Sequence, residues 1–475
     1  LLLKEINYRG KKMAKKDGIQ TDASLKRDLG LAAATAIVVG NVIGSGIFMS
    51  PASFARVTNP KVAILAWILT SIGSLLIALS FANLGSKMPK TGGPIVYTRA
   101  AFGDFAGFLI AWSFWIGAWV GNAAIITAFM SYFTYFVPAA NNPLAAFLIS
   151  SAVVWIFTLI NIYGVKYVGK IGVISTVLKI AVLVVFIVIA ALNFDPSYMK
   201  TVSSPEVSGM GTLPSAIAIA LWAFVGLESA TVAGGEIKNP EKNIKKSTIY
   251  GILIVSVIYI IMSVVSMGAM DQAALANSDA PLADIINKAT GASWGGTFIA
   301  AGALISTLGA TSGWLLTTAR SAVGAAEDGL FPAIFKRINP KFNTPVASLV
   351  IGSTCMNLLL IMNYVGSLRS AFDFMILLAT LSFLPAYTFS AAAEIVLLCK
   401  KSNEFSFINF LKSSFFSLLA FAYSIYAIYG TGSDVVMYGF ILMLVGIPIY
   451  VYMMLQKNKE DKNVDKIREA AGLEK

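Results

Sequence analysis

Gly40-Asn41-Val42-Ile43-Gly44-Ser45-Gly46-Ile47 interrupts the first long apolar run of the chain, and its reading decides the fold. A helix in lipid pairs every N–H and C=O within itself, and irregular backbone survives at that depth only where protein surrounds it. Three glycines and a serine within residues 40–46 predict that the helix opens here. The backbone groups so released at mid-membrane suit the carboxylate and ammonium of a small zwitterion. A helix-packing face is the competing reading, because Gly40 and Gly44 have GxxxG spacing. The rest of the chain favours the opening.

Composition sets the class. Of 475 residues, 57% are hydrophobic and only 13% charged, and the mean hydropathy is +0.75. That balance describes an integral membrane protein. Cys355 and Cys399 are assigned to different spans, so neither a disulfide framework nor a metal cluster is indicated. Histidine is absent, which removes imidazole relays and His-ligated metals; no cofactor is expected. Residues 1–30 form a basic tail without the apolar core of a cleavable signal peptide. Met13 is a candidate start, so residues 1–12 are given no functional weight.

Runs of roughly 17–25 apolar residues can cross a bilayer. They lie near 31–55, 62–86, 106–136, 144–163, 171–192, 213–235, 247–269, 296–326, 346–365, 371–398, 409–429 and 434–455. Twelve spans put both termini on one side. Residues 31–192 hold spans 1–5, an outer linker covers 193–212, and residues 213–398 hold spans 6–10. Spans 11 and 12 occupy 399–455 and read as peripheral, ahead of a tail at 456–475. With the N-terminus inside, inner segments carry 30 Lys and Arg, outer segments carry 5, and Lys179 alone sits within a span. That bias makes both termini cytoplasmic in the cell (inner) membrane. The net charge of +12 is therefore a topology signal, and no nucleic-acid partner is expected.

A second interruption, Val225-Gly226-Leu227-Glu228-Ser229-Ala230, lies in span 6, five spans after the first. An odd number of spans per repeat inverts the second copy. The expected fold is an all-α membrane protein of twelve transmembrane helices in a five-plus-five inverted repeat. Helices 1 and 6 are discontinuous in it and hold a site between them at the midplane.

Several separated motifs carry a family resemblance. They are the span 1 signature, Trp222-Ala-Phe-Val-Gly-Leu-Glu228-Ser-Ala, and the trailing Gly235-Glu236-Ile-Lys-Asn239-Pro240-Glu-Lys-Asn243. Glu327-Asp328-Gly329-Leu330-Phe331-Pro332 through Asn343-Thr344-Pro345, and Lys90-Thr-Gly92-Gly93-Pro94 with Tyr97, add to them. From Leu31 to about Tyr452 the chain resembles the amino acid–polyamine–organocation transporters. Trp119-Val-Gly-Asn122 and Ser312-Gly313-Trp314 make it similar to the bacterial arginine/agmatine antiporters among them.

The resemblance implies alternating access and a set of roles. The backbone of Ser45 and Gly46 would take the substrate carboxylate, and the carbonyls of Val42 and Val225 its ammonium. Trp222 would close the pocket, Trp314 would stack beside the substrate side chain, and Asn122 would hydrogen-bond its polar end. Ile43, Gly117, Ala118 and Ile376 complete the expected lining. Phe114 joins Trp222, Glu228 and Lys179 as a gating or coupling residue. The arginine antiporters have a tyrosine at Phe114, a cysteine at Ala118 and a serine at Ile376. Guanidinium donors left unpaired by such swaps cost about 1–3 kcal/mol each. The substrate expected is therefore a neutral or apolar L-amino acid, with an arginine/agmatine-type cationic antiporter as the alternative. The partners expected are that amino acid and the lipid bilayer, with a homodimer left open.

Individual residues sharpen the picture. Glu228 reads as an anchor for the freed backbone that also gates, in preference to a purely structural carboxylate. Glu394, about a turn and a half from Lys400, reads as solvated at the interface and receives no role. Lys179 lies eight residues inside an otherwise apolar run, where a lysine costs roughly 2.5–3.5 kcal/mol. At 1.5 Å per residue it is about 12 Å deep, too far to snorkel comfortably. In other branches of the family a lysine at the matching place stands in for a sodium ion. Its ammonium is expected to bond the Gly40 carbonyl and Ser306 or Thr307, tying span 1 to span 8. A channel or receptor is the reading from another class, but no filter loop or charge ring supports it. No acidic pair or nucleophile motif supports an enzyme.

Overall fold

The computed structural model describes residues 29–89, 92–232, 234, 237–363, 368–399 and 407–470. The basic tail up to residue 28, Lys90 and Thr91, Gly235 and Glu236, and Lys400 and Lys401 lie outside the described residues. The described chain is helical, with two isolated bridges (Leu29 to Ile237, Asn339 to Thr344) as its only extended pairings among the described residues.

The helices run α1 (Leu31–Val42), α2 (Gly46–Val57), α3 (Pro60–Lys87), α4 (Pro94–Phe102), α5 (Asp104–Phe136), α6 (Pro143–Tyr163) and α7 (Val165–Leu192). Then follow α8 (Leu213–Trp222), α9 (Ser229–Val232), α10 (Pro240–Ala269), α11 (Gln272–Ala276), α12 (Pro281–Thr290) and α13 (Ser293–Glu327). The last four are α14 (Val346–Asn363), α15 (Leu368–Cys399), α16 (Phe407–Gly430) and α17 (Ser433–Ala470). Taking α1 and α2 as one interrupted span, 10 stretches among the described residues are long and apolar enough to cross a membrane. Met210–Trp222 and Val346–Met362 are shorter apolar helices, where the sequence places spans 6 and 9.

Local chemistry sets the helix starts. Pro60, Pro143, Pro240 and Pro281 open helices, where proline loses no N–H bond and presets φ. The Asn59 side chain caps α3 by accepting from the Val62 N–H at 3.0 Å, and Asn142 caps α6 by accepting from Leu144 at 3.0 Å. The centre of the bundle is α5, buried along nearly its whole length and packed on α13 and α15. By contrast α16 and α17 present large apolar side chains outward, among them Phe415, Phe416 and Phe440, as lipid-facing helices do.

Ion pairs fasten both ends. Arg56 at the close of α2 meets Asp373 near the start of α15, Nε to Oδ2 at 2.7 Å. At the other end Arg99 of α4 meets Asp104 of α5 at 2.8 Å. Because α3 begins just after Arg56 and α15 begins near Asp373, these two helices run in the same direction.

Candidate functional site

Helix α1 stops at Val42 because the next residues leave helical geometry. Ile43 has ψ 87°, and the Gly44 N–H turns back to the Val42 carbonyl at 2.8 Å. Ser45 then leads into α2, whose first-turn N–H groups have no acceptor in their own helix. The second break is larger. Helix α8 ends at Trp222, residues 223–228 form turns, and Gly226 takes φ 110°.

The two breaks cross in contact. A Cβ on Gly46 would lie 3.0 Å from Ala223 Cα, and one on Gly226 would lie 3.1 Å from the Asn41 carbonyl carbon and oxygen. Asn41 Nδ2 donates to Ser229 Oγ at 2.9 Å. The Tyr259 hydroxyl of α10 donates to both breaks, to Val42 O at 2.9 Å and Ala223 O at 3.0 Å. Gly226→Ala combines a disfavoured φ with a backbone clash. It is expected to lower stability by about 1–3 kcal/mol and to reduce transport, read by thermal midpoint and uptake; an unchanged midpoint would refute the close crossing.

A pocket of about 240 Å³ of empty volume opens at this crossing. It is lined by the span 1 break, by Trp222, Ala223 and Val225 of the other, and by Ile125 and Trp314. Of the residues singled out in the sequence, Val42, Ser45, Gly46, Trp222, Val225 and Trp314 meet here. The others stand back. Phe383 of α15 accounts for two of them: its ring packs edge-on against Phe114 at 5.0 Å, and a Cβ on Gly117 would lie 3.0 Å from it. The same ring reaches Trp314 at 5.7 Å. Ala118 and Ile376 are buried without joining the lining.

Asn122 spends its amide donor on the Thr311 carbonyl of α13 at 3.3 Å, and its Oδ1 makes no hydrogen bond. Thr311 Oγ1 and Ser312 Oγ, less than a turn before Trp314, are also buried without partners. On the opposite side, Ser45 Oγ and Trp222 Nε1 are buried and unpaired. The Val42 carbonyl differs from expectation. It is not a free acceptor for an ammonium, because Gly44 N–H and Tyr259 Oη already occupy it.

Lys179 is 2% exposed, and its ammonium donates to Gly40 O at 2.7 Å and Ile43 O at 2.6 Å. Ile43 thus belongs to the lysine rather than the pocket lining. The expected reach to span 8 is corrected: Thr307 Oγ1 donates to carbonyls of its own helix, and Ser306 Oγ makes no bond. The break itself offers two carbonyls side by side, which satisfies the ammonium from span 1 alone.

Glu228 accepts from the Gly226 N–H at 3.2 Å and from the Tyr387 hydroxyl at 3.0 Å. Its carboxylate therefore anchors freed backbone and ties the span 6 break to α15. Tyr259, Tyr387, Phe383 and Asn41 received no role in the sequence reading. For the tyrosines a signal existed, since a mid-span hydroxyl needs an acceptor.

Comparison with known proteins agrees with this geometry. The family described as amino acid permease matches residues 29–455. The chain is 32% identical to an arginine/agmatine antiporter of Chlamydia pneumoniae, covering 90% of each sequence. It is 30% identical to a putative arginine/ornithine antiporter of Bacillus subtilis (strain 168), over 90% of this chain and 97% of the relative. An arginine/ornithine antiporter of Pseudomonas aeruginosa is also 30% identical, over 85% of this chain and 86% of the relative.

Proposed function

The chain belongs to the amino acid permease family, and on that premise we propose that it is a sodium-independent antiporter of cationic, arginine-type amino acids. The observation that carries the reading is the chemistry on the two sides of the pocket. Ser45 Oγ, Trp222 Nε1 and the first-turn N–H groups of α2 are donors suited to a carboxylate. Asn122 Oδ1, Thr311 Oγ1 and Ser312 Oγ, beside Trp314, are spare acceptors suited to a side-chain head that can only donate, such as guanidinium or ammonium.

The neutral substrate expected from Phe114, Ala118 and Ile376 loses its support, because none of the three lines the pocket. The relatives' names favour the cationic alternative as well. Lys179, with its ammonium on two carbonyls of the break, supports independence from sodium. Twelve spans arranged as two inverted sets of five, with the termini inside, are part of the same proposal. Ten long stretches, two shorter helices and breaks in spans 1 and 6 support it.

A thermal-shift panel of amino acids tests the substrate class, since a ligand of the native state raises the midpoint. Arginine or ornithine is expected to give the largest shift, about 2.7 kcal/mol of stabilisation at a hundredfold excess over Kd. A larger shift with leucine or another neutral amino acid would restore the apolar reading. Uptake into proteoliposomes stimulated by internal arginine separates an antiporter from a channel.

A further inference from the structure

The sequence places Glu394 at a solvated interface, and the structure does not. It is 5% exposed, held where α3, α15 and α16 meet. Asn83 Nδ2 of α3 donates to Oε1 at 2.8 Å, and Ser417 Oγ of α16 donates to Oε2 at 2.7 Å. Among the described residues no ion pair includes it. A carboxylate so enclosed without a cation is costly in its charged form.

The partners are chemically unequal. The Asn83 amide can only donate, so it fits the carbonyl oxygen of a neutral acid as well as an ionised one. The Ser417 hydroxyl can reverse, donating to a carboxylate or accepting from a protonated Oε2. Both states of Glu394 therefore keep two hydrogen bonds without any helix moving. Each of the three helices also carries a buried hydroxyl one turn away with no partner: Ser80, Ser390 and Ser414.

The charged groups on elements packed against α15 at this end are engaged or remote. Arg99 and Lys457 pair with Asp104, while Lys87 on α3 and Lys412 on α16 are exposed. Tyr97 is buried on α4, Cys399 is exposed, and Tyr387, two turns back on α15, is bonded to Glu228.

We propose that Glu394 is a proton-binding site separate from the substrate pocket, neutralised by a proton at Oε2 that Ser417 then accepts as a hydrogen bond. The proton comes from water at the narrow exposed edge of the group, and no other bond is made or broken. Glu394 and Tyr387 lie seven residues apart on α15, so a change of charge at the junction acts on the helix that holds the span 6 break. Exchange then responds to pH through α15.

Infrared difference spectra of the purified protein between acidic and alkaline buffer test the site without any substrate, so their outcome is independent of which amino acid is carried. A carboxylic-acid C=O band is expected in the parent and absent in Glu394→Gln, the isostere of the neutral acid. In proteoliposome exchange, Glu394→Gln is expected to stay at the parent's acid-side rate across the mildly acidic to neutral range. Ser417→Ala removes a donor that favours the carboxylate and is expected to move the step to higher pH. The proposal is overturned if the band persists in Glu394→Gln or the two proteins share one pH profile. Should the glutamine variant fail to insert, an unshifted step in Ser417→Ala overturns it equally.

Discussion

Lys179→Ala is expected to lose most transport, by roughly a hundredfold or more, while still inserting and still giving a ligand-induced thermal shift. The ammonium now satisfies the carbonyls of Gly40 and Ile43. Leaving a buried acceptor unpaired costs about 1–3 kcal/mol, and every 1.4 kcal/mol is about tenfold in an equilibrium. Two such carbonyls at the break bias the span 1 backbone away from its open geometry, which is the shape alternating access must preserve. The donors of α2 and the Trp222 wall remain, so binding survives better than turnover. Exchange rate and thermal shift measured on the same preparation separate the two effects. Near-normal turnover in the variant, or strong sodium stimulation of the parent, would end this account of the lysine.

Trp222→Ala is expected to abolish exchange altogether. The indole reaches from the span 6 break to α5, so close that a Cβ on Gly121 would lie 2.8 Å from Cη2. Removing it opens one wall of the pocket and forfeits about 3–5 kcal/mol of buried packing. Because part of that loss could reflect folding, Trp222→Phe is the companion variant. It keeps the wall and deletes only the unpaired Nε1 donor, worth about 0.5–1.5 kcal/mol when it meets a substrate. A folded protein with substrate affinity weakened up to about tenfold is expected. Full exchange by the alanine variant would remove Trp222 from the site.

The chain by itself determined whatever depends on local physics. Hydropathy marked the spans, since each must shield its own backbone from lipid. The glycine-rich stretches at 40–46 and 225–230 marked where that shielding fails, and both are non-helical in the structure. Lys179 announced a need for carbonyl acceptors because a lysine at that depth cannot stay unpaired. Which acceptors it finds is another matter, for Ile43 and Lys179 are 136 residues apart. Tertiary structure alone decided that Tyr259 bridges both breaks, that Phe383 shields Phe114 and Gly117 from the pocket, and that Val42 is already occupied. It also drew Glu394 out of water to meet Asn83, 311 residues away. These outcomes rest on how helices distant in sequence pack side by side. A hydrophobic period reports that a face is buried, but not which hydroxyl, amide or ring will lie across from it.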